Sequence, residues 1–114
     1  MARTSSDDGP LWVGLDVGTQ SARALVVGER GRVAASGSQP LDSRRDGDRH
    51  EQDPGRWWQA VAGACRAALR DLAPERVQGV AACATSGTIV LVDRHGAALT
   101  PGYMYDDGLS LIHI

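Results

Sequence analysis

The 114-residue chain has no phenylalanine, and its large aromatic side chains are limited to three tryptophans and two tyrosines. A core must therefore come mainly from aliphatic and small residues, a thin supply for a free-standing domain of this length. The two cysteines, Cys65 and Cys83, are too few for a disulfide framework. They show no metal-ligand spacing with His50, His95 and His113, and both are expected as buried thiols. Charge of one sign is also missing. The formal net charge is -2, and arginines are scattered among Asp and Glu, which excludes a basic face for nucleic acid and a polybasic stripe for a membrane surface. No run approaches the ~18 apolar residues of a membrane span. The opening "MARTSSDDGP" lacks the apolar stretch of a signal peptide, so residues 1–10 are expected as a flexible tail and the protein as cytoplasmic.

What remains is an ordinary globular composition, 42% hydrophobic, sufficient for one small domain. "LWVGLDVG" reads as a buried strand, "ARALVVG" as its return, and "RVAASGSQ" as a third strand of a meander. The charged stretch "PLDSRRDGDRHEQ", 40–52, predicts an exposed loop. Asp53 can cap the helix that follows, with Pro54 at its first position, where no N–H donor is needed. Trp58, Val61, Cys65, Ala68 or Leu69, and Leu72 then recur at helical spacing, and Pro74 marks the end. "VQGVAACA", 77–84, and "GTIVLVD", 87–93, predict two further strands, with "RHGA" as a turn. The expected order is β-β-β-α-β-β, an α/β arrangement with a mixed sheet and the helix crossing between strands.

The most informative stretch is "LDVGTQSARALVV", 15–27, where a good hairpin is interrupted by Asp16, Gly18, Thr19, Gln20 and Ser21. Hairpin turns favour a short Asn-Gly or Asp-Gly pair, and this one places an acid at the strand end, then a glycine with hydroxyl and amide residues. That set suits a bound phosphate. Gly18 permits close backbone approach, Thr19, Gln20 and Ser21 can donate to phosphate oxygens, and Arg23 can add a charge-assisted contact. Asp16 could hold Mg²⁺ directly or through water. The same residues could instead stabilise the turn through local side-chain to backbone bonds, and the spacing alone leaves both readings open.

"VGLDVGTQSARALVV", "EQDPGRWWQAV" and "VQGVAACATSGTIVLVDRHGAALTPGYMYDD", in that order over residues 11–107, resemble the start of an FGGY-family carbohydrate kinase. The resemblance implies an actin-like, ribonuclease H-like fold in which ATP and sugar meet in a cleft between two α/β domains. It makes residues 11–108 part of the N-terminal kinase domain. On matching positions it implies Asp16 as the Mg²⁺ organiser, Gly18 to Ser21 facing the ATP phosphates, and Arg23 as an arginine that glycerol kinases also carry. "EQDP" fits the family's entry into the first helix; taken by themselves, Glu51, Gln52 and Asp53 read as a charged loop plus a cap, and Trp57 and Trp58 as helix packing.

The departures concern the sugar. Glycerol kinases carry an Arg-Glu pair, and typical xylulokinases a Met-His pair, where this chain has Ser86 and Gly87. "TSGT" followed by "YDD" is similar to xylulokinase-like proteins that phosphorylate D-ribulose, which implies a ketopentose substrate, D-ribulose or D-xylulose. Thr85, Ser86 and Thr88 would bond sugar hydroxyls, although a Ser/Thr-rich strand end can also satisfy its own turn. Tyr105 stands where relatives often place Trp, and Asp106 or Asp107 would accept from the sugar, one of the two being merely solvated. The alternatives are a glycerol or other polyol kinase and a non-catalytic actin-like half-domain. No residue here matches the family's general base, which lies further along the chain, so the polypeptide alone is expected to be inactive. A homodimer is left open for the full-length protein. Leu109 to Ile114 can be read back as CTG-TCT-CTT-ATA-CAC-ATC, which resembles a transposase-derived library adapter, so 109–114 is expected to be a non-native tail.

Overall fold

The computed structural model describes residues 8–108; the expected adapter-derived tail, 109–114, and residues 1–7 of the expected N-terminal tail lie outside them. Three strands form the predicted meander: β1 (Leu11–Val17), β2 (Ser21–Gly28) and β3 (Val33–Pro40), each antiparallel to the next. After the helix and a short 3-10 turn at Pro74–Arg76, β6 (Val77–Ala84) returns beside β1 in parallel. The sheet is therefore mixed, in the order β3-β2-β1-β6, and the helical crossover supplies the reversal that a parallel pair requires.

The segment 40–52 is not the expected loop. It folds as a hairpin, β4 (Arg44–Asp46) and β5 (Arg49–Gln52), and β5 also pairs with a two-residue strand, β7 (Gly102–Tyr103), to make a second, three-stranded sheet. The charge of 40–52 concealed a turn signal, Asp46-Gly47, in which Gly47 takes φ +60° as the first residue of a II′ turn demands. The predicted strand over 87–93 is also corrected. Its pairing shrinks to two isolated bridges, Ile89 with Tyr103 and Val92 with Ala98. Between them the Leu91 N–H donates to the Thr100 hydroxyl at 3.1 Å, a side-chain bond where a ladder would use backbone. "RHGA" is a turn as expected, with Asp93 Oδ1 accepting from the N–H groups of His95 and Ala97.

Helix α1 (Pro54–Ala68) starts as predicted: Asp53 Oδ1 accepts from the Gly55 N–H at 2.9 Å, and Pro54 occupies the first turn. Its buried residues, however, are Ala60, Ala64 and Ala68, with Trp57 partly buried beside them, while Trp58 stands 74% exposed. Val61, Cys65, Leu69 and Leu72 border that face. The small residues explain how a chain without phenylalanine closes its core. A Cβ on Gly37 of β3 would lie 2.2 Å from the Ala64 carbonyl oxygen and 2.8 Å from the Ala68 nitrogen, so helix and sheet backbones approach to a distance that only glycine allows. Leu11, Val13, Ala24 and Val26 fill the sheet side of this contact, and Ala22 and Leu41 form a second cluster with Ala60 near the site.

Candidate functional site

The turn 18–20 leaves β1 at its carboxyl end, and Thr85 leaves the parallel β6 at the same end; this is where open α/β sheets bind ligands. The Thr85 N–H donates to the Val17 carbonyl at 3.1 Å, and the hydroxyls of Thr19 and Thr85 lie 3.5 Å apart. The two polar turns are thus neighbours. Gly18 N–H donates to Ser21 O at 2.9 Å and closes the first turn, and among the described residues the Thr19 and Gln20 N–H groups have no acceptor.

A cleft of about 600 Å³ opens over this end of the sheet. It is lined by all six residues expected at the phosphates (Asp16, Gly18, Thr19, Gln20, Ser21 and Arg23) and by Tyr105 from the expected sugar segment. Asp16 pairs in register with Arg23 on β2 and Cys83 on β6, and among the described residues its carboxylate accepts only from the Cys83 thiol at 3.8 Å. Its lone pairs are otherwise open. That arrangement fits Mg²⁺, which takes one or two protein carboxylates and fills its remaining positions with water and phosphate oxygens. Arg23 Nε donates to Ser21 Oγ at 3.3 Å, which sets the guanidinium beside the turn.

The glycines of the two turns differ in kind. At Gly18 an added Cβ would meet nothing closer than Ser21 O at 3.4 Å, and its φ is not positive, so the fold itself does not demand glycine there. At Gly87 φ is +89° and a Cβ would lie 3.3 Å from Tyr105 Cβ, so "TSGT" needs its glycine for backbone geometry and to seat Tyr105. Thr85, Ser86, Thr88, Asp106 and Asp107 do not line the cleft. Ser86 is exposed, and the Thr88 hydroxyl oxygen is buried without a partner among the described residues.

Neither aspartate of "YDD" is merely solvated, which corrects the expectation for one of them. Asp107 is 2% exposed, and its Oδ2 accepts from the His50 N–H at 2.8 Å. Asp106 accepts from Arg45 Nη2 at 2.8 Å through Oδ2 and from His50 Nδ1 through Oδ1. The Arg45 guanidinium, then the His50 imidazole, hold its carboxyl down at about 2, so it is ionised at neutral pH.

The hairpin β4–β5 supplies what sequence reasoning missed. Arg45 and His50 line the cleft, together with Leu41, Asp42 and Ser43 just before the hairpin. Gln52, read above as part of a charged loop, is 4% exposed. Its Nε2 donates to the Thr19 carbonyl at 2.7 Å and to Ser43 Oγ at 2.9 Å, and its Oε1 accepts from Trp57 Nε1 at 2.7 Å. His50 and Gln52 share one face of β5, so one short strand is fastened to the 105–107 segment at one residue and to the 18–20 turn two residues on. The Asp46-Gly47 turn with alternating polar residues after it was the available signal. The cysteine expectation is corrected as well: Cys65 is partly buried, which pushes its thiol pKa up, and Cys83 is exposed.

A family model described as "FGGY family of carbohydrate kinases, N-terminal domain" matches residues 11–110, and the chain belongs to that family. It is 37% identical to a xylulose kinase of Streptomyces coelicolor over 107 residues, 90% of this chain and 21% of that protein. It is 33% identical to an apulose kinase of Pectobacterium atrosepticum over 100 residues, 86% of this chain and 20% of the relative. Among solved structures, a xylulose kinase from Rhodospirillum rubrum superposes with a TM-score of 0.78 at 27% identity, covering 84% of this chain and 20% of that one. The chain therefore spans about a fifth of the length of these relatives. The mixed α/β sheet and these neighbours place it in the actin-like ATPase fold expected from the sequence.

Proposed function

We propose that the chain is the N-terminal part of an ATP- and Mg²⁺-dependent sugar kinase that transfers the γ-phosphoryl group to a hydroxyl of a ketopentose, D-ribulose or D-xylulose. The observation that carries this reading is the cleft at the carboxyl ends of β1 and β6, which Asp16, Gly18 to Ser21 and Arg23 line together with Tyr105. The names of the relatives, xylulose and apulose kinases, support a small sugar as acceptor.

Phosphoryl transfer needs positioning and charge neutralisation more than covalent help. In this reading the free Thr19 and Gln20 N–H groups and the Ser21 hydroxyl hold phosphate oxygens, Arg23 offsets their charge, and Asp16 holds Mg²⁺, which when bound neutralises the transferring group. Tyr105, seated against Gly87 of the 85–88 turn, borders the sugar. No residue of this chain is assigned as the base that takes the hydroxyl proton. The polyol reading is less well supported, because Ser86 and Gly87 offer no ion pair to clamp a triol and Gly87 is held by its backbone.

The test is ADP release by the full-length kinase on D-ribulose, D-xylulose, L-ribulose and glycerol, with a ketopentose expected as best substrate. Glycerol as best substrate would overturn the assignment. Asp16→Ala is expected to reduce turnover at least ~100-fold through lost charge neutralisation, and near-unchanged turnover would remove Asp16 from its role.

A further inference from the structure

We infer that Gln52 is a positioning residue for phosphoryl transfer: its buried amide holds the Thr19 carbonyl and thereby aims the Thr19–Gln20 peptide at the nucleotide phosphates. The inference rests on the sugar-kinase reading above. A single side chain here joins three elements. Oε1 is engaged by Trp57 of α1, and the two amide hydrogens by Ser43 before the hairpin and by Thr19 O in the turn. At 4% exposure no water competes for these bonds, and the Trp57 donor fixes which end of the amide faces the turn, since an indole N–H can only donate.

The consequence for the turn follows from peptide planarity. In a trans peptide the N–H points opposite to the preceding carbonyl, and the described residues contain no cis bond. Holding Thr19 O against Gln52 therefore turns the Gln20 N–H away from β5, where no protein acceptor meets it and where Gln20 lines the cleft. The next peptide is fixed too, because the Gln20 carbonyl accepts from the Leu41 N–H at 2.8 Å. With the peptides on both sides of Gln20 tied down, the Gln20 N–H is preset before any ligand arrives. Preset donors lose no orientational freedom on binding, which favours the phosphate-bound state.

The experiment uses the full-length kinase and two independent readouts: calorimetric affinity for ATP with Mg²⁺ in the absence of sugar, and separate KM values for ATP and sugar. Gln52→Leu keeps volume without a donor, and Gln52→Glu places a carboxylate against the Thr19 carbonyl. Both are expected to weaken ATP about tenfold, as for one buried hydrogen bond lost at a site, while the sugar KM moves less than about twofold. A merely structural role would lower Tm and leave the ATP constants of the folded enzyme in place, which would overturn the inference. Should both variants fail to fold, Trp57→Phe releases only the Oε1 end of Gln52, and an expected threefold weakening of ATP, on the order of half a hydrogen bond, decides in their stead; an unchanged ATP constant there overturns the inference. Failure of the sugar-kinase reading is seen separately, as absent sugar-dependent ADP release in the unsubstituted enzyme.

Discussion

Asp106 shows how a residue that reads as a sugar ligand acquires another task. Its two oxygens are taken by Arg45 and His50, which hold its carboxyl at about 2 against an ordinary 3.8. The folded value lies below the unfolded one, so whatever this clamp contributes is fully present above about pH 4 and is lost as pH falls from there toward 2; neutral pH leaves it untouched. Arg45→Met should bring the Asp106 titration up toward 3.8, measured by carbon NMR of its carboxyl, and a midpoint that stays near 2 would assign the depression to His50 alone. That Asp16, Gly18, Thr19, Gln20, Ser21 and Arg23 share one cleft was legible because they sit together in one turn and the strands it joins. Arg45, His50 and Gln52 were not, because their partners lie 61, 56 and 33 positions away in the chain.

Among the elements, α1 matches the expectation at its start and over most of its predicted stripe, Val61, Cys65, Ala68, Leu69 and Leu72, and departs from it at Trp58. The cap and Pro54 are local signals, and Asp53→Ala is expected to cost about 1 kcal/mol in chemical denaturation, the usual loss for an N-cap. Size rather than hydrophobicity decides the face: the closeness of β3 at Gly37 admits Ala60, Ala64 and Ala68 and leaves Trp58 outside. Gly37→Val tests that closeness: the new side chain would collide with helix backbone rather than a movable side chain, and a destabilisation of roughly 3 kcal/mol is expected. A loss below 0.5 kcal/mol would show that the helix can withdraw without penalty. The strand predicted over 87–93 had the right composition, but strand formation depends on a partner, and 98–103 offers only two bridges.

For the whole molecule, the meander, the crossover helix and the parallel return were all readable, since each is signalled within its own segment. The pairing of β5 with β7 was not, because a two-residue strand has no pattern to detect. The cleft gathers residues from β1, β2, the stretch before β4, the hairpin and the 105 segment. For the 114-residue chain alone we expect no sugar-dependent ADP release, since no residue in it is assigned as base; measurable turnover by the isolated chain would place the whole chemistry within residues 1–114.

The four residues of β5 also constrain how this region can change length. Side chains alternate along a strand, so inserting or deleting one residue between His50 and Gln52 would send one of them to the opposite face and unfasten either the 18–20 turn or the 105–107 segment. Length variation should therefore be tolerated at the Gly47–Asp48 turn and rejected within Arg49–Gln52, a contrast that a scan of single-residue insertions scored by kinase activity would reveal.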